Sequence, residues 1–282
     1  MLEGLSAEAL KMRTHKATWF LIWIFPIAFT GVFICVIIAG MAGLDPPEHA
    51  KAADWVEMTS LVWFLPGNPF GRYLVSAFVA VVFAGEYGWN TWKLIVPHRR
   101  RASLIGAKYA LVVLLIVASF ALTAALSTGL NFADGLLTAD PIPPEIGAAM
   151  LWHEHWTAAL SALAPVLVAI GYASLAAVLT RSTIAALVVA IVATTIEEIL
   201  FKFGPPLYLH FPSVVWPLYH VLPGHHLANL TEFIRRGGEL SREFPGGQVV
   251  HFAWTTSLGI LLAWVAALWG ATWAVFGRQD IN

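Results

Sequence analysis

Six stretches of the chain are dominated by apolar residues, and they set its organisation: 18–43, 71–87, 104–130, 156–180, 183–203 and 251–276. A helix needs about 20 apolar residues to cross a hydrocarbon core ~30 Å thick. It must be helical throughout, because lipid satisfies no backbone hydrogen bond. The pattern therefore predicts an all-α integral membrane fold, six transmembrane helices forming a single domain over residues 1–282. The fourth and fifth runs are joined only by "TRST", which predicts an antiparallel pair with a tight turn.

Shorter periodicities fill the gaps. Residues 1–17 place Leu2, Leu5, Ala9 and Met12 near one helical face and Lys11, His15 and Lys16 elsewhere, the pattern of an amphipathic helix lying on a membrane surface. The first apolar run follows this basic segment as a signal core would, but its length of about 26 residues exceeds the 7–15 of such cores, and it reads as a retained helix. In the gap 44–70, the turn-rich pieces "DPPEH" and "LPGNPFGR" flank "TSLVWF", which is too short to cross alone and reads as an interfacial helix or an early part of the second span. The longest gap, 204–250, is dense in Pro and Gly. Within it Leu227, Leu230, Phe233 and Ile234 recur at helical spacing and predict a short helix in or against the outer leaflet.

Composition agrees: 59% of residues are hydrophobic and 12% charged, with a mean hydropathy of +0.73, whereas soluble domains carry about 25% charged residues. Charge then orients the spans. Lys11, Arg13 and Lys16, then Lys93, Arg99, Arg100, Arg101 and Lys108, then Arg181 and Arg278 fall on one side. The first two loops of the other side carry Asp45, Glu48, Asp54, Glu57, Asp134, Asp140, Glu145 and Glu154, against Lys51. The positive-inside rule puts both termini in the cytoplasm of a multi-pass protein of the cytoplasmic membrane. Cys35 is the single cysteine, so no intramolecular disulfide or thiolate metal cluster forms.

The most basic segment is "GEYGWNTWKLIVPHRRRASLIGAK", residues 85–108. Tyr87, Trp89, Trp92 and Ile95 are its apolar groups, Pro97 breaks the helix, and "HRRR" precedes re-entry into the membrane. By its residues alone it is either a positive-inside loop with aromatic anchors or a stiff amphipathic hairpin. Glu86, Thr91, an apolar pair, Pro97, Arg101 and Lys108 resemble the cytoplasmic hairpin of type-2 ABC transporter permeases, with Asn90 where that family has Gly. The terminal "FGRQDIN" resembles the family's ending after its sixth span.

That resemblance implies a permease subunit of an ATP-driven exporter that moves or flips a hydrophobic or amphipathic substrate. Glu86, Trp89, Thr91, Trp92, Pro97, Arg101 and Lys108 would then couple it to a separate ABC ATPase subunit. ATP and magnesium would sit on that partner, since this chain has no G-x-x-x-x-G-K-[ST] phosphate loop. The other implied partners are a second permease copy or homologue and membrane lipids. No enzymatic activity, cofactor or nucleic acid is expected of the chain itself.

Two further motifs carry polar chemistry. In "TTIEEILFKFGPP", Glu197 and Glu198 lie about 14 residues into the fifth span, where ionisable groups cost roughly 2.5–3.5 kcal/mol and require partners. Lys202, one turn beyond Glu198, can pair with it, or the carboxylates face a polar translocation path. The same stretch resembles the Glu-Glu-x-x-x-Arg signature of intramembrane CAAX-type proteases, with Lys202 in place of Arg, while Trp216 to His220 and His225 to Asn229 mimic later motifs of that family. This implies the alternative of a metal-dependent protease using Glu197, Glu198 and outer histidines; a non-transporting membrane scaffold is the second alternative. Finally, "WHEHW" and "PGHH" place His153, His155, His225 and His226 on the outer side. Imidazoles suit zinc or copper, but neither spacing puts both ligands on one helix face, so these four read as interfacial residues before they read as metal ligands.

Overall fold

The structure is a computed structural model that describes Leu10, Met12 and residues 16–44, 51–88, 101–138 and 141–279. Most of the helix read over 1–17 lies outside these residues, as do Trp89, Thr91, Trp92 and Pro97 of the basic hairpin. The elements run α1 (Lys16–Met41), α2 (Ala52–Ser60), a 3₁₀ segment (Leu61–Gly67), α3 (Pro69–Gly88), α4 (Arg101–Leu137), α5 (Ala148–Thr180), α6 (Thr183–Tyr208), α7 (Pro212–Val221), α8 (Pro223–Arg236), β1 (Ser241–Phe244), β2 (Gln248–His251) and α9 (Trp254–Arg278). Six of them, α1, α3, α4, α5, α6 and α9, are long and apolar enough to cross a membrane. The fold is that of an all-α integral membrane protein.

Several helices outrun the apolar stretches that announced them. With 37 and 33 residues, α4 and α5 reach roughly 50 Å at 1.5 Å per residue, so each continues as helix past its apolar stretch through the polar Asn131 to Asp134 and His153 to Glu154. Helix α6 continues through Pro205 and Pro206 to Tyr208. Gly204 is required there, because a Cβ would lie 2.7 Å from the Tyr219 ring.

The "TRST" turn behaves as read. Arg181 takes a left-handed φ of 54° and its N–H bonds the Ala177 carbonyl, closing α5, while Ser182 Oγ accepts from the Ala185 N–H to start α6. At the same end, Arg101 of α4 meets the last residues of α9. Gly40 of α1 meets Thr138 at the opposite end. Lys16 and Arg278 therefore share one end of the bundle, called here the hairpin end, and the other is the cap end.

Helices α3 and α5 are the most enclosed of the six. Phe83 and Val79 of α3, Val112 and Phe120 of α4, and Ala169, Ile170 and Ala173 of α5 form the centre of the main core. Small residues on α5 let neighbours approach, as they must where lipid removes the hydrophobic drive between helices; a Cβ on Gly171 would lie 2.8 Å from Leu268. Ile184, Val188, Val192 and Ile199 of α6 face outward, as a lipid-exposed stripe would.

The cap end is closed by the short elements. "TSLVWF" is divided between the end of α2 and the 3₁₀ segment rather than joined to α3. The return into α3 is so tight that a Cβ on Gly71 would lie 2.0 Å from the Leu65 carbonyl oxygen. The predicted short helix is α8, whose Leu227 and Leu230 pack with Val168 and Leu261 while Phe233 stacks on Trp254 at 4.6 Å. The antiparallel β1–β2 pair was not foreseen; it buries Phe244 against Tyr219 and Val215.

Candidate functional site

Asn68 Oδ1 accepts the Gly71 N–H at the start of α3 and sets the first turn so that Arg72 points into the bundle. There Arg72, 2% exposed, donates from Nη1 to Glu197 Oε2 at 2.7 Å and from Nη2 to Glu198 Oε2 at 3.1 Å. Tyr172 of α5 donates its hydroxyl to the other Glu197 oxygen. Lys202 holds Glu198 at 2.8 Å from an exposed position, and Tyr73 bonds Thr195 at 2.7 Å. Two carboxylates and two cations thus neutralise one another across α3, α5 and α6.

Of this network, the sequence foretold the Glu198–Lys202 pair and missed Arg72 and Tyr172. The one signal available was electrostatic: two intramembrane carboxylates need two countercharges, and a single lysine supplies one. Glu197 is held by Arg72 and Tyr172, and among the described residues no histidine is bonded to it.

At the hairpin end, Glu86 and Lys108 form a buried ion pair at 2.9 Å between the end of α3 and the start of α4, with Lys108 also donating to the Val82 carbonyl. Arg101 Nη1 donates to the carbonyls of Phe276, Gly277 and Gln279, at and just beyond the C-terminal end of α9, where helix carbonyls run out of intrahelical donors. Gln279 in turn accepts from the Tyr87 hydroxyl at 2.6 Å and donates to the Val178 carbonyl of α5. The structure thus brings Glu86, Arg101 and Lys108 of the predicted coupling set to one root.

The histidine motifs are separated. His155 Nε2 lies 3.2 Å from Thr59 Oγ1 and 3.1 Å from Thr128 Oγ1, whereas His153 is exposed. Glu154 accepts from Ser60 Oγ and lies 3.7 Å from Arg235 of α8. His225 and His226 open α8, where His226 contacts Ser257 Oγ at 3.1 Å and the His220 carbonyl at 2.9 Å. Among the described residues, no group of three or more His, Cys, Asp or Glu is placed to hold a metal ion. "WHEHW" instead ties α2 and α8 onto α5.

Compared with known proteins, the chain matches no protein-family model and no curated protein.

Proposed function

We propose that this chain is the membrane subunit of an ABC-type exporter, and that residues 85–108 carry the motion of a separate ATPase into the helix bundle. The observation that supports this reading is the wiring of the hairpin root. A coupling element is useful only if it is stiffer at its root than at its tip. Glu86 and Lys108 lock α3 to α4 in the interior, and Arg101, Tyr87 and Gln279 extend the lock to α9 and α5. Separating a buried ion pair leaves an uncompensated charge, at about 3–5 kcal/mol. A push on the hairpin would move four spanning helices together. A loop that merely holds positive charge in water needs no such pair.

Charge supports placing the hairpin end in the cytoplasm. Among the described residues that end carries Lys16, Arg101, Arg181 and Arg278 beside the Glu86–Lys108 pair, with no other acidic residue, while the cap mixes Asp54, Glu57, Glu145, Glu154, Glu232, Glu239 and Glu243 with Lys51, Arg235, Arg236 and Arg242. The Arg72–Glu197–Glu198 network is then the polar stage of a translocation path used by a hydrophobic or amphipathic substrate, between this chain and a second permease. ATP and magnesium belong to the ATPase. The protease alternative requires carboxylates free to activate water, and here both are engaged by cations.

The test is purification of the tagged chain from its native membrane, followed by ATPase and transport assays in liposomes. An ABC ATPase should co-purify, and its turnover should respond to the permease. Proteolysis by the chain alone would favour the protease; neither ATPase nor proteolysis would leave the scaffold.

A further inference from the structure

Helix α8 begins against α6. A Cβ on Gly224 would lie 2.9 Å from the Glu197 carbonyl oxygen, so this glycine is what lets the helix start so close. Pro223 occupies the first turn, and no side chain caps it. The first free N–H groups of a 14-residue helix therefore carry the positive end of its dipole into a buried place.

Around that helix start lie buried polar atoms with no partner: both ring nitrogens of His225, the Tyr219 hydroxyl and Arg242 Nε. His225 and Tyr219 are each 2% exposed. Their rings are 5.2 Å apart, with Phe252 at 5.6 Å and Phe201 at 6.4 Å from the His225 ring. The Arg242 guanidinium sits over Phe201 at 5.1 Å and is close enough to Tyr219 to act on its hydroxyl.

These groups share one chemistry. Tyr219, Arg242 Nε, one nitrogen of a neutral His225 and the helix N–H groups are donors. The charged groups that act on His225 are His226, Arg242, His220 and His251, all basic. The nearby carboxylate, Glu239, is occupied by His251 at 3.3 Å and by the Trp254 N–H. Buried donors without acceptors are destabilising. An anion is the ligand class that accepts from every donor present, and enclosure by four rings limits it to a small one.

The geometry points to a chloride-sized anion site at the start of α8, formed by Tyr219, His225, Arg242 and the first-turn N–H groups. It is independent of the transport reading. Its occupant fastens α7, α8 and β1 to one another and so closes the cap over α6.

The experiment follows thermal unfolding of the full chain in nanodiscs as chloride replaces gluconate at constant ionic strength. Chloride should raise the midpoint saturably. Tyr219→Phe keeps the ring and removes one donor, and should weaken the apparent affinity about tenfold or more; Arg242→Gln should abolish the saturable part. Because Arg242→Gln also removes the contact over Phe201, a direct readout accompanies it: bromide substituted for chloride should give an anomalous scattering peak between Tyr219 and Arg242. The proposal is overturned by equal stabilisation in chloride and gluconate, by an unchanged chloride response in Tyr219→Phe, or by bromide absent from that position. Ordered water alone at the site would give the first and last of these results.

Discussion

Arg72 and Glu197 are 125 residues apart in sequence and 2.7 Å apart in the structure. The pair is almost dry on both sides. It pins the first turn of α3 to the second half of α6, and Tyr172 brings α5 into the same contact. Neither charge would be tolerated here alone, so each residue explains the other.

It follows that the two charges should be coupled in stability. Arg72→Met alone leaves Glu197 and Glu198 with only Lys202, and should cost about 3–5 kcal/mol. Arg72→Met combined with Glu197→Met removes charge from both sides and should recover much of that loss, since apolar replacements of buried pairs are often tolerated. Unfolding of the four members of this double-mutant cycle measures the coupling. Additive losses in the double variant would contradict it.

A second cycle examines the hairpin root. Lys108→Met should destabilise the chain by removing the cation that sits 2.9 Å from the buried Glu86 carboxylate, and the swap Glu86→Lys with Lys108→Glu should restore more stability than either single change gives. Arg101→Ala removes donors from three carbonyls at the end of α9. It should fray that end and speed proteolysis near Gln279 while the bundle stays folded. Unchanged proteolysis would show that the staple is not needed.

Acid should loosen the cap. Burial, with His226, Arg242, His220 and His251 close by, holds His225 down at about 4, below its ordinary 6.5. His226 is shifted in the same direction, chiefly by burial. The unfolded chain therefore binds more protons between pH 4 and 6.5, and stability falls as pH drops through that window while being complete above it. In chloride-free buffer His225→Phe should flatten this dependence. An identical pH profile in the variant would place the titration elsewhere.

These contacts show where sequence alone reaches. The spans were legible because twenty apolar residues in a row admit one solution in lipid. The Glu198–Lys202 pair was legible because helical periodicity places residues four apart on one face. Arg72 was not, since only the packing of α3 on α6 makes it a neighbour of Glu197, and its own surroundings, "NPFGR", read as a loop edge. The polar extensions of α4 and α5 were missed for the complementary reason: hydropathy marks where lipid begins and ends, whereas Asn131, Asp134, His153 and Glu154 continue a helix in water or under the cap. Strands of four residues, β1 and β2, carry too short a pattern to be read, although "PGG" between them marked the turn that Gly246 and Gly247 make with positive φ.

Orientation has a separate test. In a Cys35→Ala background, Glu145→Cys at the cap end and Arg278→Cys at the hairpin end occupy exposed positions. An impermeant thiol reagent added to intact cells should label the first and spare the second until the membrane is opened. Labelling of Arg278→Cys from outside would invert the topology and remove the hairpin from the reach of any cytoplasmic ATPase.

The coupling proposal makes its sharpest claim about the division of labour within residues 85–108. If the tip enters a groove on the ATPase, an aromatic anchor should dominate affinity, and Trp92→Ala should weaken assembly by about 2 kcal/mol or more. Arg100→Ala, a rim charge, should slow encounter with less effect on the final complex. Glu86 has the opposite role. It is buried beside Lys108 rather than offered to a partner, so its loss should leave the ATPase bound and disturb the transfer of motion. The charge swap of Glu86 with Lys108 separates coupling from folding, because it keeps an ion pair at the root. Co-purification, ATPase turnover and transport in liposomes should then divide the variants: Trp92→Ala loses the partner, while Glu86→Gln keeps the partner and wastes ATP. Should Trp92→Ala retain full assembly and Glu86→Gln transport normally, the hairpin is an ordinary loop and the root contacts serve stability alone.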